Sequence, residues 1–239
     1  MWLAVGFACG AKDPVVELAP GQRPASGEVH LETRDGVELV GDRFVASQAG
    51  RPGVLLLHMI PPHFDRSSWP DDFVARLHGL DWNVLVLDRR GAGDSGGKAV
   101  DAYEGEKGRY DAEAAVKSLA ELELGPLAIV GASNGTATML DYAVWGPTEG
   151  LPAPTALGFL SGGAYTEKNT PMSQIPAVPA YFAYPVDESA WNEAQKRHPS
   201  AGAWTFEAYD PGDHGTKMFG KVEDFDDDLE AWLVERLPG

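Results

Sequence analysis

The chain has 239 residues, a net charge of −17, an apolar fraction of 44% and seven tryptophans, which is enough to bury a sizeable core, most simply as one domain. That charge disfavours nucleic acid, whose phosphates demand Lys and Arg, and adhesion to anionic lipid, so neither is expected as a partner. The one cysteine, Cys9, excludes an intrachain disulfide and a thiolate zinc cage, and the six histidines include no H-x-x-x-H pair, so no metal is assigned.

In chain order, residues 1–27 stand apart: an apolar run, MWLAVGFACG, followed by a stretch rich in Pro, Gly and Ala. The run is too short to span a bilayer. Ala8-Cys9-Gly10 resembles the end of a bacterial lipoprotein signal, which would make Cys9 a lipid anchor and place the protein at the bacterial envelope. The alternative is a frayed terminus with a chance cysteine, compatible with the cytoplasm.

From residue 28 to 239 the pattern is regular. EVHLETRDGVELVGDRFVA alternates apolar and polar residues about Asp35-Gly36 and predicts a hairpin. GVLLLHM and NVLVLD are continuous apolar runs of the kind buried on both faces of a parallel sheet, and WPDDFVARLHGL between them has helical spacing. A glycine-rich loop follows, then the amphipathic helix RYDAEAAVKSLAELEL, the strand LAIV and the helix TATMLDYAVW. TALGFL and VPAYFAY are strands, SAWNEAQKRH a helix, AWTFEAY the last strand and DDLEAWLVERL the closing helix. The order predicts an α/β fold: a doubly wound, mainly parallel sheet of about eight strands with helices on both faces. Ligands of such sheets sit at the C-terminal ends of the strands.

Two stretches match G-x-S-x-G: Gly93-Asp94-Ser95-Gly96-Gly97 and Gly131-Ala132-Ser133-Asn134-Gly135. The first also spells the GDSGG of chymotrypsin-like proteases, but those are paired β-barrels with His and Asp well upstream of the serine, and the flanking chain here is α/β. Its overlap with G-x-G-x-x-G lacks the apolar helix that a dinucleotide site needs. The second lies between a buried strand and a helix, the context of a nucleophile elbow. There the serine occupies a strained turn, glycines two residues away on either side relieve collisions, and the hydroxyl projects above the sheet. Asn134 N–H and the helix N-terminus then face a developing oxyanion. An acid and a histidine should follow in that order, and they do. Asp187 falls in the loop after VPAYFAY, with Glu188 as the reserve acid, and His214 falls in the loop after AWTFEAY. A bland reading of Asp187 is a helix N-cap, and of His214 a surface histidine.

The chain from about Gly36 onward resembles the α/β-hydrolase superfamily, nearer its compact dienelactone-hydrolase-like and esterase members than its lipases. VLLLHMIPPHFDRSSW, NVLVLDRRGAGDSGG, LAIVGASNGT, the strand-loop with Asp187, and DHGTKMF carry the resemblance. In that family D-x-R-G-x-G-x-S is a loop motif after the fourth strand, which implies a structural role for Ser95. The family's His-Gly-x corresponds to His58-Met59-Ile60, implying the Ile60 amide, or else that of Met59, as the second oxyanion donor. The resemblance implies acyl transfer to water, with Ser133 as nucleophile, His214 as base and Asp187 orienting it. It requires no cofactor. The short stretch SGGAYTEKNTPMSQIPA leaves no room for the helical lid of larger members, so an open site for small or soluble ester substrates is expected. A peptidase or amidase on the same triad, or a non-catalytic binding module, are the alternatives.

Overall fold

The computed structural model describes residues 23, 25–166 and 168–238; Cys9 and the proposed leader lie outside them. Strand β1 (Gly27–Glu32) and strand β2 (Glu38–Phe44) form the hairpin expected about Asp35-Gly36, paired antiparallel. Strands β3 (Gly53–Leu57), β4 (Asn83–Leu87), β5 (Leu127–Ala132), β6 (Ala156–Leu160) and β7 (Ala180–Pro185) are each buried along their whole length. Strand β8 (Trp204–Tyr209) is the partly exposed edge. The eight strands lie in the order β1-β2-β4-β3-β5-β6-β7-β8, and β3 to β8 run parallel.

Among the described residues, five helices cover the two faces: α1 (Asp71–Gly79), α2 (Gly108–Ala120), α3 (Gly135–Trp145), α4 (Ser189–Gln195) and α5 (Phe225–Arg236). Successive strand side chains point to opposite faces, so each fully apolar strand feeds two cores. In β3, Leu55 and Leu57 join Leu119 of α2 and Met139 of α3, while Val54 and Leu56 join Phe73 and Leu77 of α1 and Leu229 and Leu233 of α5. This double burial explains why the strands read as unbroken apolar runs. The acidic start of α5, Asp226-Asp227-Asp228, suits the positive end of the helix dipole and also meets Arg76 of α1, which pairs with Asp226, Asp227 and Glu230.

The parallel strands bring the chain after β3, β4, β5, β6, β7 and β8 to one rim. Between β6 and β7 the described residues hold a single 3-10 turn, Met172–Gln174, and no cap domain. Among the described residues, no helix is long and apolar enough to cross a membrane.

Candidate active site

The loop after β4 illustrates a purely architectural use of a G-x-S-x-G stretch. Ser95 Oγ donates to Asp88 O at 2.6 Å and accepts from Val40 N–H at 2.8 Å, stitching the loop to β2. Gly93 has φ +50°, and a Cβ there would lie 2.0 Å from an Asp88 carboxylate oxygen. Asp88, fully buried, accepts from Arg66 N–H at 2.6 Å and pairs with the Arg66 guanidinium. The loop thereby ties β4 to the segment following β3.

At the second stretch the backbone makes a much tighter turn. Ser133 follows β5 directly, has φ +49° and is 4% exposed. A left-handed conformation in a non-glycine residue is strained and must be held by its surroundings. Here Ser133 N–H donates to Leu160 O at 2.7 Å, and Ser133 O accepts from Thr136 N–H at 3.0 Å and Thr136 Oγ1 at 2.6 Å. The flanking glycines are sterically required. A Cβ on Gly131 would lie 2.7 Å from the Gly135 backbone, and one on Gly135 would lie 2.5 Å from His58 O.

His214 stands in the turn after β8, and its Nε2 lies 2.6 Å from Ser133 Oγ. Its Nδ1 lies 2.7 Å from Glu188 Oε1. These partners assign the tautomer: Nδ1–H donates to the carboxylate, leaving Nε2 to accept from the serine hydroxyl. The His214 turn is fixed by Gly215 N–H, which donates to Ser161 Oγ at 3.0 Å. Ser161, just after β6, is another non-glycine residue with positive φ, +53°. The Tyr165 hydroxyl donates to Ser161 O and neighbours Ser133; burial pushes its ionisation up to about 12 despite a lowering contribution from that serine.

The carboxylate set against the imidazole is therefore Glu188 and not Asp187, a correction to the sequence-based expectation. Residues 186–188 form a 3-10 turn immediately after β7. In such a turn each residue swings the side chain by about 120°, so adjacent positions face different directions. Asp187 is exposed, whereas Glu188 is half-buried and turned toward His214. Its extra methylene also supplies reach. Neither the triad order nor the loop location distinguished the two.

The amides expected to face an oxyanion belong to Asn134, at the start of α3, and to Ile60 or Met59, after β3. Among the described residues, none of these three N–H groups has a protein acceptor. Met59 is buried beside the imidazole loop, for a Cβ on Gly215 would lie 2.5 Å from its Sδ. His58 is fully buried: its Nε2 accepts from Arg89 N–H at 2.9 Å and its Nδ1–H donates to Met59 O at 2.7 Å. Burial, reinforced by the Arg89 charge, pulls its pKa down to about 3, so the ring is neutral.

Two cavities lie on neighbouring segments, neither lined by Ser133, His214 or Glu188. One of about 290 Å³ lies along α3 and is lined by Thr136, Ala137, Leu140, Phe159, Met172 and Trp191. The other, about 350 Å³, is lined by Met59, His63, Phe64, Thr216 and Lys217, among others. Phe64 lines the second cavity and the Tyr165 hydroxyl neighbours Ser133, whereas Trp69 and Met218 are buried in the core shared by α1 and α5.

The sheet order, with Ser133, His214 and Glu188 meeting at one rim, is that of an α/β hydrolase. The family described as serine aminopeptidase, S33, matches residues 54–186, more than half of the chain, and the chain belongs to that family of hydrolases. Solved structures with this fold include an esterase of Pyrococcus furiosus, 17% identical with a TM-score of 0.69, covering 90% of this chain and 92% of the other. A Xanthomonas campestris α/β serine hydrolase without a lid is 16% identical with a TM-score of 0.67, covering 91% and 98%. An esterase of a Rhodococcus species is 15% identical with a TM-score of 0.66, covering 88% and 99%. No curated protein matches the chain.

Proposed function

We propose that the protein is a serine hydrolase that cleaves carboxylic esters of small or soluble substrates through an acyl-enzyme on Ser133. The observation that carries this reading is the relay from Ser133 Oγ to His214 Nε2 at 2.6 Å and from His214 Nδ1 to Glu188 Oε1 at 2.7 Å. His214 takes the hydroxyl proton as Oγ attacks the ester carbonyl, and Glu188 holds the tautomer and stabilises the imidazolium. The Asn134 amide and that of Ile60, with Met59 next in line, stabilise the oxyanion. His214 returns the proton to the leaving alcohol, and water, deprotonated by the same imidazole, releases the acid. The chemistry balances without a cofactor.

The family description favours a second reading, a peptidase acting on the same residues. A fluorophosphonate probe followed by peptide mapping tests the nucleophile. Label on Ser133, absent from Ser133→Ala, supports the proposal; label on Ser95, or undiminished hydrolysis in Ser133→Ala, overturns it. Parallel assays with p-nitrophenyl esters of graded length and with aminoacyl p-nitroanilides separate the two readings. Faster turnover of anilides than of esters would establish the peptidase.

A further inference from the structure

Arg89 is the most unusual charge in the molecule. It occupies the unspecified position of D-x-R-G-x-G-x-S, the motif arginine being Arg90. Its side chain is fully buried, and no carboxylate oxygen among the described residues lies within 4 Å of its nitrogens. Arg90, the next residue, is buried in the ordinary way, pairing with Asp111 at 2.7 Å and Asp35 at 2.8 Å. Arg89 instead meets neutral oxygens. Its Nη1 donates to His58 O at 3.2 Å and Met59 O at 3.3 Å, and its Nη2 donates to Ala102 O at 2.9 Å, Asn134 Oδ1 at 2.8 Å and Thr138 Oγ1 at 2.9 Å. The Nε has no partner among the described residues. Burial pulls the pKa down to about 10, which still leaves the group charged at neutral pH.

A buried cation with no carboxylate in contact is costly even with Asp111 and Asp141 acting on it from a distance, and an apolar side chain of similar shape would serve packing better. The contacts point to another use. In a trans peptide the C=O and the following N–H point in opposite directions. Turning the His58 carbonyl toward Arg89 directs Met59 N–H away from it, and turning the Met59 carbonyl toward Arg89 directs Ile60 N–H away. The same guanidinium grips the side chain of Asn134, whose backbone supplies the other donor. One planar fork thus holds both segments of the hole.

We propose that Arg89 is a positioning residue for the oxyanion hole, clamping the His58–Met59 carbonyls and the Asn134 side chain so that the amides converge, and placing behind them a positive charge with no carboxylate in contact. The inference rests on the serine-hydrolase reading. It goes beyond it by assigning part of the transition-state stabilisation to a residue that never touches substrate. A fixed positive charge in a dry setting favours the oxyanion over the neutral carbonyl, so its loss should appear in kcat and not in KM.

The test measures kcat and KM on p-nitrophenyl butyrate, affinity for a trifluoromethyl ketone that forms a tetrahedral adduct, and Tm, for wild type, Arg89→Met, Arg89→Lys and Asn134→Ala. Arg89→Met should lower kcat roughly 10²-fold with KM within about threefold, and weaken the ketone by a similar factor. Arg89→Lys, which keeps the charge and loses the fork, should recover part of this. Asn134→Ala, which keeps its backbone N–H, should lower kcat by a smaller factor, about 5- to 10-fold, and combine non-additively with Arg89→Met. If Arg89→Met does not fold, Arg89→Lys and Asn134→Ala decide. Wild-type kcat in the folded variants, or a rise in KM with kcat unchanged, overturns the inference while leaving Ser133 labelling intact. A wild-type protein that neither turns over ester nor labels at Ser133 removes the hydrolase reading and this inference together.

Discussion

The two G-x-S-x-G loops share a composition and sit at the same rim, one after β4 and one after β5, yet they differ in what their serine hydroxyl is free to do. Ser95 Oγ spends both its donor and an acceptor site on backbone groups, Asp88 O and Val40 N–H. Ser133 Oγ meets the His214 imidazole, while the backbone on either side of it absorbs the strain. The lesson is that the glycines in each loop relieve a different collision: against the Asp88 side chain at Gly93, and against neighbouring backbone at Gly131 and Gly135. Only the second arrangement lifts a hydroxyl clear of its own backbone.

The largest effect should come from exchanging the serines for alanine. Ser133→Ala should cut ester turnover by roughly 10⁵-fold or to the assay limit. Ser95→Ala should leave kcat within about twofold and lower stability by about 1–3 kcal/mol in urea denaturation, since Val40 N–H loses its partner. The reverse outcome would exchange the roles of the two loops.

The acid sharpens the comparison next. Glu188→Gln should lower kcat roughly 10²- to 10⁴-fold by removing the charge that orients and stabilises the imidazole. Asp187→Asn should change it by less than about threefold. Equal losses in steady-state kinetics would mean the two carboxylates share the work.

The comparison ends at His58, which accepts from Arg89 N–H and so joins the segment after β3 to the Ser95 loop. Its folded pKa is depressed to about 3, so between the ordinary histidine value and that point the unfolded chain binds a proton that the folded chain does not. Its contribution is complete above about pH 6.5 and is lost as pH falls toward 3, by at most about 5 kcal/mol. Urea titrations at pH 7 and 4.5 should show a smaller loss in His58→Gln, whose amide can reproduce both hydrogen bonds without charging. An unchanged pH dependence in that variant would mean that other groups carry it.

Most of the architecture was readable because a doubly covered parallel strand cannot tolerate polar residues on either side. GVLLL, NVLVL and ALGFL announce themselves for that reason, and the turn at Asp35-Gly36 announces the hairpin. Ser133 and His214 were readable from their placement after β5 and β8. Glu188 was not preferred over Asp187, because the choice depends on the phase of one 3-10 turn, to which composition is blind. Arg89 left no trace, since its partners lie at 58, 59, 102, 134 and 138 and share no periodicity with it.

Local patterning alone therefore specified the order of strands and helices, the rim where chemistry would gather and the strained serine turn, each being a matter of alternation, steric size and neighbouring residues. Which carboxylate meets the imidazole, and which arginine is buried with no carboxylate in contact, followed from packing between distant segments. Those outcomes turn on side-chain direction and reach within an ångström or so, and such distances exist only once the sheet has been assembled.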